Sequence, residues 1–189
     1  MHHGRNFLIQ DTLETMTARQ EFRTLKAYTD FEIREYMPCV IAEVKTRANF
    51  SDGSSAAFGS LFNYISKGNT ASQKIAMTAP VIAAQNVETN KSDDWFVSFV
   101  MPSGSTMADM PNPNDARVVL RELKTEKCVA LSFRGKATAE AANKKIEELR
   151  SAAAKENIAL SDETRVCRFD PPFKPGFLQY NEIVIPLSE

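Results

Sequence analysis

The order of secondary-structure patterns repeats once along this chain, and this repeat limits the possible folds more than any other feature. Two runs with strand-like alternation precede an amphipathic helical pattern, two more follow it, and the second half has the same order. The residues repeat too: Ile33-Arg34-Glu35-Tyr36 before Cys39-Val40 matches Leu120-Arg121-Glu122-Leu123 before Cys128-Val129. We therefore expect an α+β fold, an antiparallel twisted sheet or distorted β-barrel made of two pseudo-symmetric ββαββ units with two helices packed outside.

Turn-forming residues and prolines separate the expected strands. The strands are expected at 21–28 and 31–36 as a hairpin, then at 39–46, 74–81 and 95–101, then at 118–123 and 127–134 as a second hairpin, and finally at 164–170 and 180–187. The run 95–101 is the most apolar, which favours a central position in the sheet. Pro80 cannot donate to a ladder, so 74–81 is expected at an edge or rim.

An amphipathic helix is predicted within the stretch from Phe50 to Val81, followed directly by the buried strand at 74–81. The apolar residues at the i, i+3, i+4, i+7 spacing of one helix face are Phe58, Leu61, Phe62 and Ile65. Gly68 with Asn69 is expected to end the helix with a left-handed residue. The apolar face could fill the core, which is the commoner outcome, or it could line a pocket.

The second helix is predicted at 137–157, with Thr138 as its cap. Its apolar stripe consists of Ala142, Ile146, Leu149 and Ala153. Residues 1–20 are interpreted as an N-terminal lead-in with a weak helical pattern. Residues 21–189 are interpreted as a single domain, because this length suits one domain with a substantial core.

Composition argues for a soluble protein in a reducing compartment. Lysine and arginine total 23 against 24 acidic residues, so no net field favours nucleic acid or an anionic membrane. Cys39, Cys128 and Cys167 form no metal-type or disulfide-type spacing. No apolar run has the roughly 20 residues that a membrane-spanning helix needs. A cytoplasmic, monomeric protein without a membrane span is expected.

Several catalytic chemistries lack their residues in this sequence. The only histidines are His2 and His3, so catalytic triads and histidine-based zinc centres are not indicated. The seven glycines form neither of the common phosphate-binding glycine motifs. The carboxylates are scattered and are interpreted as solvated faces. The sequence therefore favours a protein that is not an enzyme.

Several separated blocks of the chain resemble the SOUL haem-binding family. In chain order the blocks are Phe31-Glu32-Ile33-Arg34 with Tyr36 and Pro38, Gly53-Ser54-Ser55 with Phe58, Tyr64-Ile65, Lys74-Ile75-Ala76-Met77-Thr78-Ala79-Pro80-Val81, Phe99-Val100-Met101-Pro102, Arg168-Phe169-Asp170-Pro171-Pro172-Phe173 and Asn181-Glu182-Ile183. Blocks in family order are more specific than one short motif. The resemblance implies the same two-unit architecture, similar to bacterial effector-binding domains of the gyrase-inhibitor type.

The resemblance also implies a ligand, since members of this family bind haem or free porphyrin non-covalently in an apolar cleft beside the first helix. The residues expected at the macrocycle are Phe58, Leu61, Phe62, Ile65 and Met77, with Lys174 near the propionates and Lys67 as a weaker candidate. Some relatives use an axial histidine. Because this chain has none beyond residue 3, haem binding without histidine ligation is expected.

Three functions remain open from the sequence. The favoured one is a carrier, buffer or sensor for haem or a related tetrapyrrole. The first alternative is an effector-binding domain, or a hydrolase built on it, for another flat apolar ligand. The second is a protein-interaction module, as the resemblance implies for some animal relatives. In the loop 103–116, Met107 and Met110 could close over a flat ligand or anchor the loop to the core.

Overall fold

A computed structural model describes residues 18–46, 52–85, 95–171 and 173–188. The strands are β1 (Phe22–Ala27), β2 (Glu32–Tyr36), β3 (Cys39–Thr46), β4 (Val81–Gln85), β5 (Trp95–Val100), β6 (Val118–Leu123), β7 (Glu126–Arg134), β8 (Thr164–Arg168) and β9 (Tyr180–Pro186). The helices are α1 (Asp52–Ser66) and α2 (Ala139–Lys155), with a short 3₁₀ helix at Gly176–Leu178. The weak helical pattern predicted within 1–20 lies almost entirely outside the described residues.

Within the described residues, the strands form one curled antiparallel sheet in the order β1-β2-β7-β9-β8-β4-β5-β3-β6. Without β1, which extends one edge, the order is a palindrome about the β8/β4 pair. Each strand of the first unit then has a counterpart in the second, from β2 with β6 to β5 with β9. This symmetry confirms the predicted architecture of two ββαββ units with two helices.

The strand pairing confirms one predicted hairpin and corrects the other. β1 pairs with β2, as expected. β6 and β7 are not partners: β6 pairs with β3, where Ala42 faces Leu120, and β7 pairs with β2, where Ile33 faces Val129. The first strand of each unit therefore pairs with the second strand of the other unit, which ties the two halves into one sheet.

The segment 74–81 was predicted as a strand and is not one; regular pairing begins only at Val81. The N–H of Ile75 donates to the carbonyl of Ile65 at 2.8 Å, so the segment folds back on α1. Ala79 exchanges hydrogen bonds with Ala18 and Gln20 at 2.8 and 2.9 Å. These hydrogen bonds satisfy backbone groups of the segment without a neighbouring strand. Pro80 has no N–H and therefore needs no partner for one.

Both helices pack on the same side of the sheet, which we call the helix face. Leu61, Tyr64 and Ile65 of α1 are buried against alternate residues of β3 and β5. The predicted stripe of α2 is buried as expected at Ala142, Leu149 and Ala153, and Ile146 is partly buried. It packs against residues of β7, β8 and β9. The Thr138 hydroxyl accepts from the N–H of Ala141, which confirms it as the cap.

The other side of the sheet, which we call the opposite face, carries its own core cluster because strand side chains alternate between faces. The cluster consists of Tyr36, Ile41, Ile82, Val100, Cys128, Ala130, Cys167 and Val184. Neither helix contributes to it. The sheet thus offers two separate surfaces on which a ligand site could form.

Candidate functional site

An exposed pair of stacked rings marks the outer edge of α1. The rings of Phe58 and Phe62 lie 6.1 Å apart between centroids with planes only 11° from parallel. Phe58 is partly buried and meets the ring of Phe99 edge-on at 5.1 Å. Phe62 keeps 50% of its surface exposed. The core therefore holds one ring in place, and that ring supports a second one that faces solvent.

The four apolar residues predicted on one face of α1 divide into two groups. Leu61 is 0% and Ile65 4% exposed, and both lie in the core beneath the helix. Tyr64 is buried as well, so the buried face of the helix is centred on Leu61, Tyr64 and Ile65. Phe62 follows Leu61 by one residue, a rotation of about 100° around the helix axis, and therefore points away from that face. In this conformation only Phe58 and Phe62 offer ring surface to a ligand.

The end of α1 differs from the predicted left-handed stop. Gly68 does not have a positive φ angle; its N–H donates to the carbonyl of Asn63 at 2.8 Å. A Cβ atom at Gly68 would lie 2.4 Å from the side-chain nitrogen Nδ2 of Asn63. The buried Asn69 amide donates to the carbonyls of Tyr64 and Gln73. Glycine is therefore needed at position 68 because the backbone there passes close to Asn63. The hydrogen bonds of Asn69 hold the following segment against the end of α1.

The methionines near α1 have different environments. Met77, in the segment after the helix, is 43% exposed and is accessible to a ligand. Met110 packs against the α1 core cluster, and the hydroxyl of Tyr64 donates to the carbonyl of Pro111 at 3.0 Å. These contacts favour Met110 as an anchor of its loop. Met107 is exposed.

The loop between β8 and β9 presents further apolar side chains that the sequence reasoning did not select. Phe173 is 87% and Phe177 76% exposed. Lys174 lies between them in sequence, and its Nζ contacts Asp170 Oδ1 at 2.7 Å. Two aromatic residues in a turn rich in proline and glycine were a usable signal, because such turns lie at the surface.

Sheet pairing relates this loop to α1. The loop leaves β8 at Arg168, whose partner across the ladder is Val81, and Val81 in turn pairs with Phe99. Val81 packs against the same core cluster as Phe58. Two strand spacings, about 10 Å, therefore separate the start of the loop from the strand beneath Phe58. Lys67, the weaker predicted cation, is exposed just beyond the end of α1.

Buried charges line the opposite face. Arg34 Nη1 contacts Glu182 Oε2 at 2.9 Å, and the two side chains are 7% and 5% exposed. Burial alone would lower the pKa of Arg34, but the hydrogen bond and charge of Glu182 outweigh it and raise that pKa. The hydroxyl of Tyr180 donates to Glu182 Oε1 at 2.6 Å. A cavity of about 90 Å³ lies beside this pair.

The three cysteines are unpaired, and their thiols are neutral in this structure. Burial raises the pKa of Cys39 to about 11 and of Cys128 to about 12, and it raises the pKa of Cys167 as well. The thiols are therefore protonated at neutral pH, whereas the thiolate is the metal ligand. In the described ranges no group of three or more His, Cys, Asp or Glu side chains could hold a metal ion.

Among the described residues, no helix is both long enough and apolar enough to cross a bilayer.

Several solved structures share this fold. The crystal structure of the EcmrR C-terminal domain gives a TM-score of 0.65 at 11% identity, covering 84% of this chain and 97% of that one. A hydrolase encoded by lin2189 from Listeria innocua gives 0.60 at 15% identity, covering 85% and 94%. SAV2435 bound to tetraphenylphosphonium gives 0.54 at 12% identity, covering 85% and 94%. At these identities the similarity shows the fold alone.

The family assignment comes from the sequence. No match was found among curated proteins. The model of the family described as SOUL heme-binding protein, however, matches residues 17–186, which includes every described strand and both helices. The resemblance inferred from the separate sequence blocks is thereby confirmed, and the chain belongs to the SOUL heme-binding protein family.

Proposed function

We propose that this protein binds haem or free porphyrin non-covalently on the helix face, where Phe62 stacks on Phe58. The observation that carries the proposal is a large flat ring left half exposed on a well-packed helix of a protein in a haem-binding family. Aromatic faces stack on flat macrocycles, and an exposed aromatic supported by the core is already in position to do so. Leu61 and Ile65 act indirectly, by fixing the helix beneath these rings.

The loop between β8 and β9 supplies the second part of this site. Phe173 and Phe177 add exposed apolar surface, and burial of apolar area contributes about 25 cal/mol per Å². Lys174 is the proposed partner of a propionate. Its present partner, Asp170, costs little to replace, because partly exposed salt bridges contribute only about 0–1 kcal/mol. We also propose that the exposed Met77 contacts the bound macrocycle.

Binding is proposed to depend on the macrocycle rather than on the iron. The described residues include no histidine, and their thiols are protonated at neutral pH. Haem bound here would supply its own redox and ligand chemistry, while the chain supplies apolar contact and a cation. We infer a carrier, buffer or sensor that acts without catalysis as a cytoplasmic monomer. The unpaired cysteines are compatible with that reducing compartment.

Titration with matched ligands tests this proposal. Ferric haem, followed at its Soret band, and metal-free protoporphyrin, followed by fluorescence, should bind with dissociation constants within about fivefold of each other, since a fivefold difference is only about 1 kcal/mol. A planar polycyclic dye without carboxylates should bind more weakly. Deleting residues 1–4 should leave the haem spectrum unchanged. A histidine-type spectrum lost on that deletion, or haem binding without porphyrin binding, would contradict the proposal.

An effector-binding role for another flat apolar ligand is the second candidate. It is supported by the fold shared with the EcmrR C-terminal domain, which covers most of both chains. The same titration separates the two functions. Stronger binding of the uncharged dye than of either tetrapyrrole would favour this alternative.

A further inference from the structure

The cavity on the opposite face is surrounded by aromatic rings. The rings of Phe22 and Tyr36 lie 5.4 Å apart on one side. The rings of Phe169 and Tyr180 lie 5.2 Å apart on the other, with their planes at 61° to each other. All four residues line the same cavity of about 90 Å³. Aromatic faces arranged in this way attract weakly hydrated organic cations.

Two guanidinium groups of the chain already lie over these rings, and that of Arg34 lies 4.1 Å from the ring centre of Phe22. The guanidinium carbon of Arg19 lies 4.9 Å from the ring centre of Phe169 and 5.6 Å from that of Tyr180. Backbone hydrogen bonds of the flanking residues Ala18 and Gln20 to Ala79 hold Arg19 in place. Arg19 is itself exposed on its outer side. It therefore closes the mouth of the cavity without being part of the core.

The cavity already accommodates the cationic group of Arg19, and its other charged side chains are paired. Besides Arg19, the charged residues lining it are Arg34, Arg165 and Glu182. Arg34 contacts both Glu182 and Glu32. Arg165 contacts both Glu126 and Glu163. Arg34 and Arg165 are thus each paired with two carboxylates, of which only Glu182 lines the cavity.

We propose that this cavity is a second binding site, for a small planar organic cation such as a guanidinium compound, and that Arg19 is its internal cap. An incoming cation takes the place of the Arg19 guanidinium on Phe169 and Tyr180, so the net charge of the site stays the same. The cavity lies on the other side of the sheet from Phe58 and Phe62, and its Phe169 belongs to the same loop as Lys174. Small-molecule sites usually enclose about 300–1,000 Å³, so a cavity of about 90 Å³ admits a small ligand and not a porphyrin.

Calorimetric titration with phenylguanidinium and with its uncharged analogue phenylurea tests the proposal. Phenylguanidinium should bind the parent, whereas phenylurea should bind at least about tenfold more weakly, because only the charged head gains from the rings. Arg19→Ala removes the competing guanidinium and should tighten phenylguanidinium binding by about two- to fivefold, the range expected for one exposed cation–aromatic contact.

Matched variants locate the site. In the Arg19→Ala background, Phe169→Leu removes one ring of the cavity and should weaken phenylguanidinium binding. Phe62→Ala, on the helix face, should leave it unchanged. Equal affinities for phenylguanidinium and phenylurea, or no gain from Arg19→Ala, would overturn the proposal. These two comparisons remain decisive even where Phe169→Leu fails to fold.

Discussion

Phe62 stacks on Phe58 one helical turn away, yet it lies beside Leu61, which is completely buried. We therefore assign Leu61 to the stability of the fold and its neighbour Phe62 to ligand binding. Leu61→Ala should cost about 2–5 kcal/mol of unfolding free energy, as core leucine truncations do. Phe62→Ala should cost about 1 kcal/mol, the value of a partly exposed stacked ring, and should weaken porphyrin binding.

Urea unfolding and porphyrin titration of both variants measure this difference. Leu149→Ala on α2, also completely buried, serves as a second stability control. If Phe62→Ala unfolds the protein as readily as Leu61→Ala, or leaves porphyrin affinity unchanged, the assignment of Phe62 to the ligand surface is wrong.

Two glycines of the α1 region should respond in opposite ways to alanine. Gly68→Ala would place Cβ 2.8 Å from the backbone oxygen of Asn63, so the chain must shift, at a cost of about 1–3 kcal/mol. Gly59→Ala, inside the helix, meets no atom within 4 Å and should stabilise the protein by about 0.5–1 kcal/mol. Thermal unfolding of the two variants measures the sign of each change in stability. A Gly68→Ala protein as stable as the parent would contradict the close approach of residue 68 to Asn63.

The buried Arg34 and Glu182 pair should behave as a unit. Arg34→Met leaves Glu182 buried beside an apolar group and should cost about 3–5 kcal/mol of unfolding free energy. Adding Glu182→Leu should recover most of that loss, because the uncompensated charge is gone. A double-mutant cycle by chemical denaturation measures the coupling. Strictly additive losses would show that the two side chains do not depend on each other.

Alkaline pH should destabilise the protein through its buried thiols. Burial raises the pKa of Cys39 to about 11 and of Cys128 to about 12, from an ordinary value of 9.0. Above pH 9 the unfolded chain loses these protons before the folded one does, so the stability present below pH 9 falls between about pH 9 and pH 12. Urea unfolding across this range should show the decline, and Cys128→Val should make it shallower. The same slope in both proteins would contradict this account.

Helices and strands were predicted correctly from the sequence where the apolar residues followed a single helical or strand periodicity. β3 occupies Cys39–Thr46, the range predicted from its alternation, and the stripe of α2 is buried as expected. Strand partners were harder to predict. β6 and β7 are neighbours in sequence, but each pairs with a strand of the other unit. Alternation identifies which face a strand buries, whereas the partner depends on long-range topology.

Two errors near the candidate site have local physical causes. The run 74–81 is apolar enough for a strand, but its backbone groups bond to α1 and to residues 18–20 instead of to a ladder. The helical spacing placed Leu61 and Ile65 at the ligand together with Phe62, but with the buried Tyr64 they face the core, while Phe62 is half exposed. Lys174 was selected from the family resemblance, whereas Phe173 and Phe177 became evident only from their exposure.

The most direct test of the account maps porphyrin binding onto the two faces of the sheet by amide chemical shifts. On addition of metal-free protoporphyrin, the perturbed amides should belong to α1 around Phe58 and Phe62 and to the loop around Lys174. Amides around Arg34 and Glu182 on the opposite face should remain unchanged. Perturbations concentrated on the opposite face, with α1 unaffected, would contradict the assignment of the tetrapyrrole site to the helix face.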